Sequence, residues 1–150
     1  MLRSNVLLLT KLGAEVWVSG PPTLVPPGIE RFGVRVTTSV DEAVADADVI
    51  MMLRIQQERM QGAFFPSLRE YYNVFGLTEE RVGRARGDVI IMHPGPMNRG
   101  VEIDGLLADD INVSVIQEQV EMGVAVRMAA MDLLARNLRA RNEPTGAVAC

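Results

Sequence analysis

The chain has 150 residues, 48% hydrophobic and 23% charged, with a formal net charge of -4 at pH 7. That length fits one domain able to bury a core, and the acidic balance without any basic block gives no footprint for nucleic acid. Apolar runs such as Val6–Leu9 are far too short to span a bilayer, no signal-peptide pattern follows Arg3, and one cysteine, Cys150, excludes an internal disulfide.

Together these features point to a cytoplasmic domain with no membrane contact. Taken in order, Ser4 and Asn5 lead into a short apolar helix from Val6 to Leu12, stopped by Gly13. A β-branched run, 14–19, reads as the first strand. Gly20-Pro21-Pro22 and Pro26-Pro27-Gly28 punctuate a loop, and a turn or short helix from Ile29 to Phe32 leads to a strand at 34–38. Ser39 followed by Glu42 is a capping box that opens a helix to about Ala47, and 48–53 is the third strand. Helix and strand alternating in this way predict an α/β fold, a three-layer, Rossmann-like parallel sheet with helices on both faces.

A long excursion runs from Arg54 to about Gly87, with helices expected at 67–72 and at 79–84, the second capped by Thr78. Loops this long in compact domains tend to be lids or binding loops. The fourth strand, 88–92, ends on His93-Pro94-Gly95-Pro96. Ser114 to Gln117 is another capping box, opening the longest helix, to about Leu138. Its apolar positions Ile116, Val120, Val124, Met128, Met131 and Ala135 keep helical spacing. Val126, Ala129 and Ala130 widen that face, which predicts cover on two sides. The domain is expected to span 1–139, with 140–150 as a flexible tail.

Two strand exits carry candidate chemistry. Two prolines around one glycine stiffen the backbone and remove amide donors, leaving carbonyl oxygens outward at the C-terminal end of a strand, where ligands sit in parallel sheets. Such a shelf suits the N–H groups of a substrate, although a stiff strand exit without chemistry has the same pattern. Arg54 and Gln56, two apart just after a strand, can point to one side and offer a donor fork for a carboxylate. An exposed loop arginine paired with Glu58 or Asp48 is the structural alternative. His93, the sole histidine, fits a hydrogen-bonded structural group better than a base. No Cys/His cluster and no G-x-G-x-x-G after a strand occur, so neither a metal nor a nucleotide cofactor is expected.

Met52-Leu53-Arg54-Ile55-Gln56-Gln57-Glu58-Arg59 and His93-Pro94-Gly95-Pro96-Met97-Asn98-Arg99-Gly100-Val101-Glu102-Ile103 strongly resemble the aspartate carbamoyltransferase catalytic chain. So do Arg3-Ser4-Asn5, Phe64-Phe65-Pro66-Ser67-Leu68-Arg69-Glu70-Tyr71 and Gly123-Val124-Ala125-Val126-Arg127-Met128-Ala129, in an order that covers the chain to about Asn137. The match is to the C-terminal, aspartate-binding half of that family.

The resemblance implies that Arg54 and Gln56 bind L-aspartate, and that Pro94, Gly95 and Pro96 form the part of the carbamoyl phosphate site that holds the carbamoyl amide on the carbonyls of Pro94 and Gly95. It implies a cis Gly95–Pro96 peptide and a mobile lid over 64–87. The implied reaction is carbamoyl transfer from carbamoyl phosphate to the aspartate amine in de novo pyrimidine biosynthesis. No catalytic residue is expected in this half: the family's phosphate-binding loop and catalytic histidine lie in an N-terminal carbamoyl phosphate domain that precedes Met1, as does an arginine for aspartate. Family members form homotrimers.

In strand order 3-2-1-4-5 the central first strand would also precede Met1, leaving two inner sheet edges on a gap and a chain that is poorly stable unless a partner supplies the strand. The rivals are a non-catalytic truncated chain acting as a structural partner of a full-length carbamoyltransferase, and an ornithine carbamoyltransferase fragment. Against the second, the sister family carries a cysteine in the strand-exit motif where Gly95 stands.

Overall fold

The computed structural model describes residues 1–56, 58 and 67–142, with the side chains of 140–142 left aside. It opens on helix α1 (Leu2–Lys11), where Lys11 in the last turn complements the negative end of the helix, and Gly13 takes a φ of +83° just beyond. Strand β1 (Trp17–Ser19) pairs in parallel with β2 (Arg35–Thr37) in the register Trp17 to Arg35. Between them a single 3₁₀ turn (Ile29–Phe32) is bracketed by Gly28 and Gly33, both left-handed. Val6, Val18, Ile29 and Val34 bury one small core against these elements.

Helix α2 (Val40–Val44) begins as its capping box requires: the Ser39 hydroxyl accepts the Glu42 N–H. Strand β3 (Val49–Met51) pairs in parallel with β4 (Ile90–Met92), Val49 opposite Ile90. Between these strands come α3 (Leu68–Phe75), capped by Ser67, and α4 (Glu79–Val82), capped by Thr78 as its sequence implies. The far edge of β4 is covered by an extended stretch: the Ile91 N–H donates to Val113 and the Val115 N–H to Ile91, at 2.7 and 3.0 Å. The larger core gathers Val40, Val44, Ile50, Leu77, Ile91 and Ile103.

The strands are shorter than their apolar runs, because ladder hydrogen bonds rather than hydrophobicity set their ends. A helix that the sequence reading passed over, α5 (Gly105–Ala108), is capped by the Asp104 carboxylate accepting from the Leu106 N–H. All strand pairing is parallel, as expected of an α/β domain. Among the described residues the pairs form two separate sheets, β1 with β2 and β3 with β4, with no pairing between β1 and β3. This is the split that a sheet without its central strand predicts.

The chain falls into two units, Met1–Ile116 and the residues from Gln117 onward. The second contains the bulk of α6 (Ile116–Asn142). Here an expectation fails: Val120, Val124, Met128 and Met131, foreseen as covered, are 42–70% exposed. Within its own unit no other described element packs on that helix. Residues 64–66 of the expected lid, residues 57 and 59–63 before it, and the tail beyond 142 lie outside the described residues.

Candidate functional site

Because β3 and β4 are parallel neighbours, their C-terminal ends lie together, and the Met52 N–H donates to the Met92 carbonyl at 2.9 Å just past the ladder. Arg54 and Gln56 follow one strand and Pro94, Gly95 and Pro96 the other, so both candidate groups leave the same edge of the sheet.

Arg54 is half-buried. Its guanidinium reaches Glu58 at 3.0 Å, while Nε is buried without a hydrogen-bond partner among the described residues. The structural alternative of a loop ion pair is therefore present, with Glu58 and not Asp48 as its acid. That pair uses one face of the fork, so Nε remains available as a donor. Arg54, Ile55 and Gln56 line a cavity of about 500 Å³ that also touches Ser19 at the end of β1 and Gly20 and Pro21 just beyond it. Ser19 Oγ is another buried polar atom there without a partner.

Past β4 the backbone turns through a left-handed Gly95, φ +60°, and a cis Gly95–Pro96 peptide. A side chain would be strained at that φ, which accounts for the glycine. Two fully buried side chains underlie the turn. His93 Nδ1 accepts the Gly95 N–H at 2.9 Å, and its Nε2 lies 3.4 Å from Glu102 Oε1. With Nδ1 accepting, Nε2 is the ring nitrogen left to carry a proton, and it faces the carboxylate. Glu102 Oε1 also accepts the Asn98 N–H at 2.5 Å. His93 thus has the structural role its sequence setting suggested.

Pro94 and Gly95 are half-buried and Pro96 is exposed; none of the three lines the cavity that holds Arg54. What joins the two candidate groups is Asn98, whose side-chain amide donates to the Ile55 carbonyl at 3.0 Å, between Arg54 and Gln56. Sequence reasoning missed this clamp. A carboxylate set between Val101 and Ile103 was the available signal for Glu102, whereas nothing local marks Asn98. Tyr71 of α3 borders the same region: burial first, and the Glu102 carboxylate second, push its phenol up to about 12. Arg99 lies outside this cluster, held by both oxygens of Asp109 at 2.6 and 2.8 Å.

Among the described residues no helix is long and apolar enough to cross a membrane. Residues 1–134 match the family model of the aspartate/ornithine carbamoyltransferase Asp/Orn-binding domain. The aspartate carbamoyltransferase catalytic subunit of Roseobacter denitrificans is 64% identical over 91% of this chain, and that of Jannaschia sp. 65% identical over 93%. The chain spans about 44% of the length of these relatives. Among solved structures, an ornithine carbamoyltransferase of Campylobacter jejuni superposes with a TM-score of 0.74 at 20% identity, over 91% of this chain and 48% of that one, a likeness of fold alone. The aspartate transcarbamoylase of Trypanosoma cruzi, solved with phosphate, gives 0.61 at 25% identity over 77% and 39%. Parallel β-pairs, a proline-glycine-proline exit and a match over nearly the whole sequence agree: the chain belongs to the aspartate/ornithine carbamoyltransferase family, in its Asp/Orn-binding domain.

Proposed function

We propose that this chain is the aspartate-binding half of an aspartate carbamoyltransferase, working in the cytoplasm in pyrimidine biosynthesis and inactive without a carbamoyl phosphate domain. The observation that carries this reading is the shared edge of β3 and β4, where a guanidinium and a carbonyl shelf leave adjacent strands and are tied by the Asn98–Ile55 hydrogen bond. Arg54, with Gln56 beside it, would bind a carboxylate of L-aspartate; Nε and the rest of the fork supply planar donors. The carbonyls of Pro94 and Gly95 would accept from the carbamoyl amide and orient its carbon.

In the reaction the aspartate amine attacks that carbon, the bond from carbon to the phosphate oxygen breaks, phosphate leaves and the amine loses a proton. Such a transfer needs positioning and charge stabilisation rather than a protein nucleophile. In this reading the charges for the phosphate come from the partner domain, and the assembly is a homotrimer as in the family.

The test is complementation. The chain is mixed with a separately expressed carbamoyl phosphate domain of a close relative, and carbamoyl aspartate is measured, with ornithine as the competing amine. Product from aspartate alone is the expected result. Silence with both halves folded favours an inert structural partner, and product from ornithine overturns the substrate.

A further inference from the structure

Behind the strand exit of β4 stands a chain of polar groups that ends on one carbonyl. His93 and Glu102 are both fully buried. The Gly95 N–H donates to His93 Nδ1 at 2.9 Å, and His93 Nε2 faces Glu102 Oε1 at 3.4 Å. Oε1 also accepts the Asn98 N–H, while Oε2 is buried without a hydrogen-bond partner among the described residues. A carboxylate is a costly side chain for that place, since a neutral amide could accept the same Asn98 N–H with no charge to bury. What only the carboxylate adds is charge beside Nε2. A negative oxygen there favours the proton on Nε2 and leaves the Nδ1 lone pair to Gly95. The Gly95 N–H belongs to the same peptide unit as the Pro94 carbonyl. Donation from one end of an amide polarises the other, so hydrogen bonds in a chain strengthen one another.

We propose that Glu102 is a positioning residue: it fixes the His93 ring with Nδ1 toward Gly95, and through that ring makes the Pro94 carbonyl a stronger acceptor. The route runs from Glu102 Oε1 to His93 Nε2, through the ring to Nδ1, to the Gly95 N–H and so to the Pro94 oxygen. Its use in catalysis rests on the substrate reading above, in which that oxygen accepts from the carbamoyl amide. A polarised acceptor holds the carbamoyl N–H more firmly and so fixes the carbon that the amine attacks. Glu102 reaches Asn98 by a separate bond, and Asn98 is tied to Ile55 beside Arg54. The charge of Glu102 therefore serves the carbamoyl side, whereas the Asn98 clamp serves the aspartate side, and the two roles separate by substrate.

His93 is the sole histidine, so nitrogen NMR of the full chain with labelled histidine reads one ring. The wild-type chain is expected to show a protonated Nε2 and a bare Nδ1 coupled to the Gly95 amide. Glu102→Gln keeps an oxygen for the Asn98 N–H and for Nε2 and removes the charge. In that variant the coupling should weaken, and the Gly95 amide proton and the Pro94 carbonyl carbon should both move upfield. In the complemented enzyme the same variant is expected to raise KM for carbamoyl phosphate about fivefold, the weakening of one hydrogen bond, with aspartate KM changed less than twofold. A proton on Nδ1 in the wild-type chain overturns the proposal, and that measurement decides alone if Glu102→Gln does not fold. Unshifted Gly95 and Pro94 signals in the variant overturn it too, as does an equal rise in both KM values, the mark of a merely structural role. If the signals move as expected but the wild-type halves make no carbamoyl aspartate, the relay stands and the substrate reading fails.

Discussion

At the exit of β4, two fully buried side chains, His93 and Glu102, hold the backbone of the turn through its amides. Each accepts an amide hydrogen from the turn, Gly95 for the imidazole and Asn98 for the carboxylate. Asn98 then passes this order across to Ile55. In the assembled enzyme, Asn98→Ala removes the tie while leaving Arg54 and the prolines intact. A neutral hydrogen bond contributes about 1 kcal/mol net, so the expected loss is on the order of fivefold to tenfold in kcat/KM for aspartate. Saturation kinetics check this, and carbamoyl phosphate KM should change less than aspartate KM. Tyr71, raised to about 12 by burial and by Glu102, adds a pH dependence. A phenol whose folded value exceeds its unfolded value of about 10 favours the neutral form, so its contribution is complete below pH 10 and is lost as pH climbs toward 12. Urea titrations at pH 9 and 11 should show stability falling over that window, and Tyr71→Phe should flatten the fall.

Among the elements, α3 and α4 show how a short segment is fixed without a large core. Arg81 of α4 has only 14% of its side chain exposed and donates to the carbonyls of Asn73, Val74 and Gly76 at the end of α3, with Asp41 of α2 at 3.3 Å. It satisfies carbonyls that a helix end leaves without partners. Arg81→Ala should therefore destabilise the chain by about 1.5–3 kcal/mol, the range for hydrogen bonds to a charged group, as read by denaturant midpoint at constant m-value. Most of these elements were legible in the sequence because their signals are local. Ser39, Ser67 and Thr78 each cap the helix that follows, and the four apolar runs each contain a strand. The short α5 escaped notice because Gly105 and a four-residue length give little periodicity, although Asp104 stood at its start. Arg54 and the proline shelf were legible as motifs. The Asn98–Ile55 clamp was not, since it joins residues 43 apart in sequence and depends on β3 lying beside β4. The exposed face of α6 could not be read either: helical spacing marks an apolar face but not what covers it.

For the molecule as a whole, the described strands form two separate parallel pairs, β1 with β2 and β3 with β4, and the far edge of β4 is covered by the stretch through Val113 and Val115. The relatives it matches are more than twice as long. The central claim is that Arg54 grips the amino-acid substrate at the edge where β3 and β4 end. The direct measurement is aspartate saturation of the complemented enzyme with Arg54→Ala. Removing a buried charge partner costs on the order of 2–5 kcal/mol, so apparent aspartate affinity should fall by at least about thirtyfold with carbamoyl phosphate affinity little changed. An unaltered aspartate saturation curve would contradict the assignment.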